Sequence, residues 1–188
     1  MSLHISLTLE PLGDLTEIPL SFPCIERVSC FHITLTRPSR MPPYLEQNVI
    51  QSMREVCHNL GSLRVFLRPQ VDVFISENGG LYVGVPVDLD VSPQLNHLIS
   101  SINQAVSSLG LREFHDEPNP HITVATIAYS STTEVTRSLT KEFVLSGPPG
   151  SQYFAAVQTV DEALANKPIA CKCLQIKIGT TVHLLPLE

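Results

Sequence analysis

Phe31-His32-Ile33-Thr34-Leu35-Thr36 returns in near copy as Pro120-His121-Ile122-Thr123-Val124-Ala125, the second histidine following the first by 89 residues. In an extended chain residues i and i+2 point the same way, about 6–7 Å apart, so His32 and Thr34 share a face, as do His121 and Thr123. Ile33, Leu35, Ile122 and Val124 take the opposite face. Such a strand reads as half-buried: its apolar side packs against helices while its polar side lines a cleft. A repeat at nearly half the length of a 188-residue chain predicts two related lobes. Two polar faces of this kind, brought together, would surround a phosphate with two imidazoles and two hydroxyls.

The flanking sequence supplies the rest of each lobe. Leu3, Ile5, Leu7 and Leu9 alternate with His4, Ser6 and Thr8 in an opening strand over residues 3–10. Residues 11–23, with three prolines and Gly13, predict a loop before the first motif strand at 28–36. Pro42-Pro43 then introduce a helical stripe of Leu45, Val49, Met53, Val56 and Leu60, stopped by Gly61. Residues 71–76 and 81–87 read as a hairpin through Asn78-Gly79-Gly80. Ser92-Pro93 predicts a capped start to a second helix carrying Leu95, Leu98, Ile99, Ile102, Val106 and Leu109, ended by Gly110.

Glu117-Pro118-Asn119-Pro120 forms a stiff approach to the second motif strand, 121–127. Val135, Leu139 and Phe143 suggest a shorter third helix, and residues 171–178 and 181–187 a closing hairpin across Gly179-Thr180. Each half thus pairs a motif strand with a helix and a hairpin, an α+β arrangement. Gly147-Pro148-Pro149-Gly150 is a turn-rich loop rather than a linker, so residues 1–188 are expected to form a single domain with two lobes.

Composition excludes several classes. Apolar content of 43% with 16% charge is that of a chain with a core, not of a disordered one. No run of eighteen apolar residues occurs, and Glu10 and Asp14 interrupt the start, so neither a membrane span nor an export leader is expected. Five cysteines scattered at 24, 30, 57, 171 and 173 suit reduced intracellular thiols better than a disulfide framework. Cys171-Lys172-Cys173 offers two metal ligands, but no second pair accompanies it, and buried apolar thiols are the simpler reading. A net charge of −6 argues against coating a long duplex, yet permits a narrow pocket for one end of a nucleic acid.

The paired His-x-Thr strands resemble those of the two-histidine (2H) phosphoesterase superfamily, which includes bacterial RNA 2′,3′-cyclic phosphodiesterases and the U6 small nuclear RNA phosphodiesterase family. The order of elements is most similar to the last: the strand beginning at His4, the approach from Pro23 to Phe31, the Glu117-Pro118-Asn119-Pro120 approach, and the closing Ile176-Lys177-Ile178-Gly179 and Leu184-Leu185-Pro186-Leu187 hairpin. That family usually carries His-x-Ser; threonine keeps the hydroxyl. The resemblance implies a two-lobed 2H phosphoesterase-like fold, with pseudo-symmetric antiparallel sheets lining a central cleft and helices outside. It also implies an RNA substrate, trimming of 3′-terminal uridines from U6 RNA, no membrane, a monomer and a nuclear setting. Several relatives have an aromatic residue six positions before the second histidine to stack on the terminal base; here that position is His115, a narrower ring.

Cleaving an RNA phosphodiester with its own 2′-hydroxyl needs a base for that proton and an acid for the departing 5′-oxygen. His32 and His121 are assigned these catalytic roles, exchangeable on sequence alone. Thr34 and Thr123 are assigned to bind the phosphate by donating to its nonbridging oxygens. Acid, base and donors are then all protein groups, so no metal and no cofactor are expected. His4-Ile5-Ser6 fits a relaxed pattern but is set aside as part of the opening structural strand. His58, His97 and His183 have no hydroxyl at i+2, and Arg37 and Arg40 either meet RNA phosphates or are merely solvated. Other readings left open are a cyclic phosphodiesterase or ligase-like enzyme acting on other RNA or nucleotides, and a nucleotide-binding module without turnover.

Overall fold

Ile33 and Ile122, the centres of the two repeated phrases, are cross-strand partners in an antiparallel ladder. Both are fully buried, and removing each from water contributes about 1.5–3 kcal/mol to holding the two halves together. The computed structural model describes residues 1–9, 25–28, 31–36, 38–58, 60–68, 72–75, 81–113, 118–127 and 167–187. The expectations for the 11–23 loop, Arg37, the 78–80 turn, His115, the helix near 135–143, the 147–150 loop, and Cys24 and Cys30 lie outside them.

Ten strands among the described residues form one sheet. Along its main path the order is β10 (Thr181–Pro186), β9 (Ile169–Ile178), β1 (Ser2–Leu9), β3 (His32–Thr34), β8 (His121–Ile127), β7 (Leu81–Pro86) and β6 (Asp72–Ile75). Three short strands lie off that path: β2 (Ile25–Arg27) pairs with β8, β4 (Ser39–Arg40) with β1, and β5 (Leu63–Val65) with β9. All pairings are antiparallel. The two halves of the sheet therefore join edge to edge, and the motif strands form the seam.

The predicted alternation sets the faces. Leu3, Ile5, Leu7 and Leu9 of β1 are buried, and they face Ile178, Ile176, Leu174 and Cys171 of β9, the last across a register shift between Thr8 and Leu9. The helices α1 (Glu46–His58) and α2 (Pro93–Ser108) lie outside, α1 against β9 and β10, α2 against β5, and each against the other. Val49, Ile50, Met53 and Cys57 of α1 are buried, as are Leu95, Leu98, Ile99, Ile102 and Val106 of α2. These side chains and the apolar sheet face make one core cluster. No helix among the described residues is long and apolar enough to cross a membrane.

Helix ends follow the sequence signals, with one difference. Gly110 has φ +70°, its N–H donates to Ser107 O, and the Leu111 N–H reaches back to Val106 O, closing α2 as a Schellman motif. At the other end Ser92 is the N-cap residue, but its hydroxyl does not cap the helix. It accepts instead from the Phe66 N–H at 3.0 Å. A partly buried backbone donor just beyond β5 takes this hydroxyl in place of the helix cap. Thr36 is used in the same way. Its hydroxyl accepts from the Ile5 N–H at 2.8 Å where the β1–β3 ladder ends, so the last hydroxyl of the first phrase serves the fold.

Cys57 and Cys171 fit the buried reading, whereas Cys173 is half-buried. Burial, with Cys173 nearby, pushes the Cys57 thiol up to about 11, and burial alone pushes Cys171 to about 12. Both stay protonated at neutral pH and are poor ligands in that form. Among the described residues no group of three or more His, Cys, Asp or Glu side chains could hold a metal ion.

Candidate active site

The register that pairs Ile33 with Ile122 puts His32 level with Thr123 and Thr34 level with His121. All four side chains project from the face opposite the buried isoleucines. The two histidines occupy diagonal positions across the seam, about 7–8 Å apart at the backbone, and the two threonines occupy the other diagonal. A pseudo-twofold axis through the isoleucine pair relates one His-Thr set to the other. An anion above the axis would meet an imidazole on either side and a hydroxyl on either side, which suits in-line transfer at a tetrahedral centre.

The two imidazoles have different surroundings. His121 Nδ1 lies 3.0 Å from Asn119 O. A carbonyl can only accept, so Nδ1 carries the proton and Nε2 is the nitrogen left for chemistry. The ring also stacks on Phe74 of β6, centroids 3.6 Å apart and planes 11° from parallel. Burial, the largest cause, pushes the His121 pKa below that of a free imidazole. The charge of His32 adds to this, while the Asn119 hydrogen bond and the Asp72 carboxylate oppose it.

His32 borders the opening strand instead. β1 pairs with β3 so that Thr8 faces His32 and Ser6 faces Thr34. His4 shares that side of β1, with Nε2 3.4 Å from Thr34 Oγ1 and its ring edge-on to His32, centroids 6.2 Å apart. His4, expected to serve only the opening strand, is brought to the site by the fold. Arg40, exposed on β4 opposite Ser2, lies on the same side further out. His58 and His97 sit on the helices, the latter lining a 430 Å³ groove between α1 and α2, and His183 faces Glu46 at 3.7 Å.

The model of the family described as "HVSL: Uncharacterised conserved protein" matches residues 7–186, which includes both motif strands. The chain belongs to the HVSL family. U6 snRNA phosphodiesterase 1 of Dictyostelium discoideum is 22% identical over 98 residues, 52% of this chain and 36% of that protein, so the match spans about a third of the relative's length. The fold is similar to that of Kluyveromyces marxianus Usb1, with a TM-score of 0.68 at 15% identity, covering 99% of this chain and 98% of that one. The same protein solved with uridine monophosphate gives a TM-score of 0.62 at 17% identity over 99% and 98%. The MHV ns2 PDE domain matches 67% of this chain and 83% of its own with a TM-score of 0.51 at 12% identity. This HVSL chain accordingly shares the α+β fold of Usb1 and of the PDE domain.

Sequence reasoning missed three supports of the HVSL site besides His4. Asn119 was read only as part of a stiff approach, and Phe74 as a strand residue. Gly84, isolated in the run Leu81-Tyr82-Val83-Gly84-Val85, was the available signal for a close approach. A Cβ at Gly84 would stand 2.8 Å from Ile122 O and 3.2 Å from both His121 Cδ2 and Phe74 Cε2. The register also shifts here, between Val83 and Gly84. Gly84→Ala should therefore force β7 away from the second motif strand, costing about 1–3 kcal/mol by overpacking and loosening the His121–Phe74 stack. A variant with wild-type urea midpoint and unchanged activity would contradict this account.

Burial makes this HVSL fold sensitive to acid. His4 and His121 both have pKa values lowered on folding, His4 by burial first and then by His32 and Lys177. Below pH 6.5, the ordinary imidazole value, the unfolded chain binds more protons than the folded one, so stability falls as pH drops. Above that value the neutral rings carry no such penalty. The urea midpoint should fall between pH 7.5 and pH 5.5, and His121→Gln should flatten that slope.

Proposed function

We propose that this chain is a metal-independent phosphodiesterase that trims the 3′ end of U6 small nuclear RNA, removing terminal uridines by attack of the RNA's own 2′-hydroxyl. The observation that carries this reading is the diagonal placement of two His-x-Thr pairs on one face of the β3–β8 seam. Likeness to the named U6 phosphodiesterase and to a homologue solved with uridine monophosphate supports the substrate and the base.

In the reaction the O2′–P bond forms as the P–O5′ bond breaks. His121, held neutral by burial and oriented by Asn119 with Nε2 free, accepts the 2′-hydroxyl proton. His32 donates a proton to the departing 5′-oxygen. Thr34 and Thr123 donate to the nonbridging oxygens, where charge builds up. The RNA is left with a 2′,3′-cyclic phosphate. We assign residues 1–188 to a single domain, acting as a monomer on one RNA 3′ end in the nucleus.

The test is incubation of the purified chain with a uridine-tailed 3′-hydroxyl RNA in excess EDTA, followed by mass analysis. Shortening from the 3′ end with a cyclic-phosphate terminus is the expected result. Internal cuts, dependence on added metal, or cleavage of nucleotides with cyclic phosphates in preference to RNA tails would overturn it.

A further inference from the structure

The two threonines of the site do not have equivalent neighbours. On the second motif strand, the residue of β7 level with Thr123 is Gly84, which has no side chain to offer. On the first, His4 Nε2 lies 3.4 Å from Thr34 Oγ1, while its ring edge rests against His32 at 85° to that ring's plane. His4 is paired with β9, and on the other side its neighbour Ile5 is held by the Thr36 hydroxyl at its N–H and by the Leu35 N–H at its carbonyl. The partner of His4 in β9 is Lys177. Burial first, then His32 and Lys177, push the His4 pKa below that of a free imidazole, which disfavours a charged ring at this position.

A threonine hydroxyl has one proton and two lone pairs. If His4 Nε2 accepted that proton, Thr34 would turn its lone pairs toward the phosphate oxygens and repel them. If His4 Nε2 carries a proton and donates it, the Thr34 proton is free to point at the phosphate. We propose that His4 is a positioning residue. It donates from Nε2 to Thr34 Oγ1 and so directs the Thr34 hydroxyl proton at the nonbridging oxygen. This rests on the phosphoryl-transfer reading above, and it adds a third histidine that acts through Thr34 and not on the substrate.

Two measurements test it. The first is steady-state cleavage of the uridine-tailed RNA, with His32→Ala as the inactive control. His4→Ala should lower kcat about 3- to 10-fold, the effect of one neutral hydrogen bond, with KM within twofold of wild type. His4→Gln, whose amide N–H can reach the same oxygen, should restore most of the loss. In a Thr34→Val background His4→Ala should have no further effect. An equal loss in that background would mean that His4 only supports the strand, and an unchanged kcat in the single variant would remove the role altogether.

The second measurement needs no substrate. Histidine ¹⁵N shifts of the free chain at pH 7.5 should report His4 as the Nε2–H tautomer, with a change on Thr34→Val. An Nδ1–H tautomer or a charged ring would overturn the inference even if the RNA is cut as expected. Failure of wild type to cut RNA, with the Nε2–H tautomer present, would instead count against the proposed substrate.

Discussion

His32→Ala and His121→Ala should each slow cleavage of the uridine-tailed RNA by about a hundredfold to ten-thousandfold, the range for loss of one general acid or base. The double variant should be little worse than either single one, because a reaction that needs both proton transfers is already lost when one is missing. Folding should survive. Both side chains project from the polar face of the sheet, and neither is among the fully buried residues that hold the seam at Ile33 and Ile122. The measurement is the single-turnover rate beside the urea midpoint of each variant. Near-normal turnover in either would refute the two-histidine assignment. Because His121 is pushed toward the neutral form, the acid limb of the wild-type rate profile should lie below pH 6.5, and Phe74→Ala, which uncovers the ring, should move it upward.

The second large effect separates the two nucleophiles that could reach the phosphorus. If the ribose attacks, deoxyribose at the scissile linkage removes the nucleophile, and cleavage at that bond should stop while binding persists. The threonines supply a matching test from the protein side. Thr34→Ser and Thr123→Ser keep the hydroxyl and should be tolerated, whereas Thr→Val, nearly equal in volume, should lose about 3–4 kcal/mol of transition-state stabilisation. Efficient cleavage of the deoxy-substituted RNA would mean that water attacks, and the cyclic-phosphate product would have to be given up.

Much of the architecture was legible because strand and helix periodicities are local. Alternation in residues 3–9 placed β1, and the stripe from Leu95 to Val106 followed by Gly110 placed α2 and its end. The hairpins β6–β7 and β9–β10 followed from turn chemistry. The short strands β2, β4 and β5 were not foreseen. Two or three residues carry no period, and such pieces are strands only because an edge of β8, β1 or β9 offers them hydrogen bonds.

The sequence by itself determined which residues could do the chemistry: repeated His-x-Thr phrases in apolar strands commit His32, Thr34, His121 and Thr123 to one kind of face. Only the tertiary structure decided how those faces meet. Register across β3 and β8 is a non-local choice, and a slip of one residue would have turned a whole motif toward the core. The same non-local packing set His121 against Phe74 over Gly84 and brought His4 to Thr34 from a strand some thirty residues away. Tautomer, burial and the distinction between the two imidazoles depend on neighbours that the chain supplies only once it is folded.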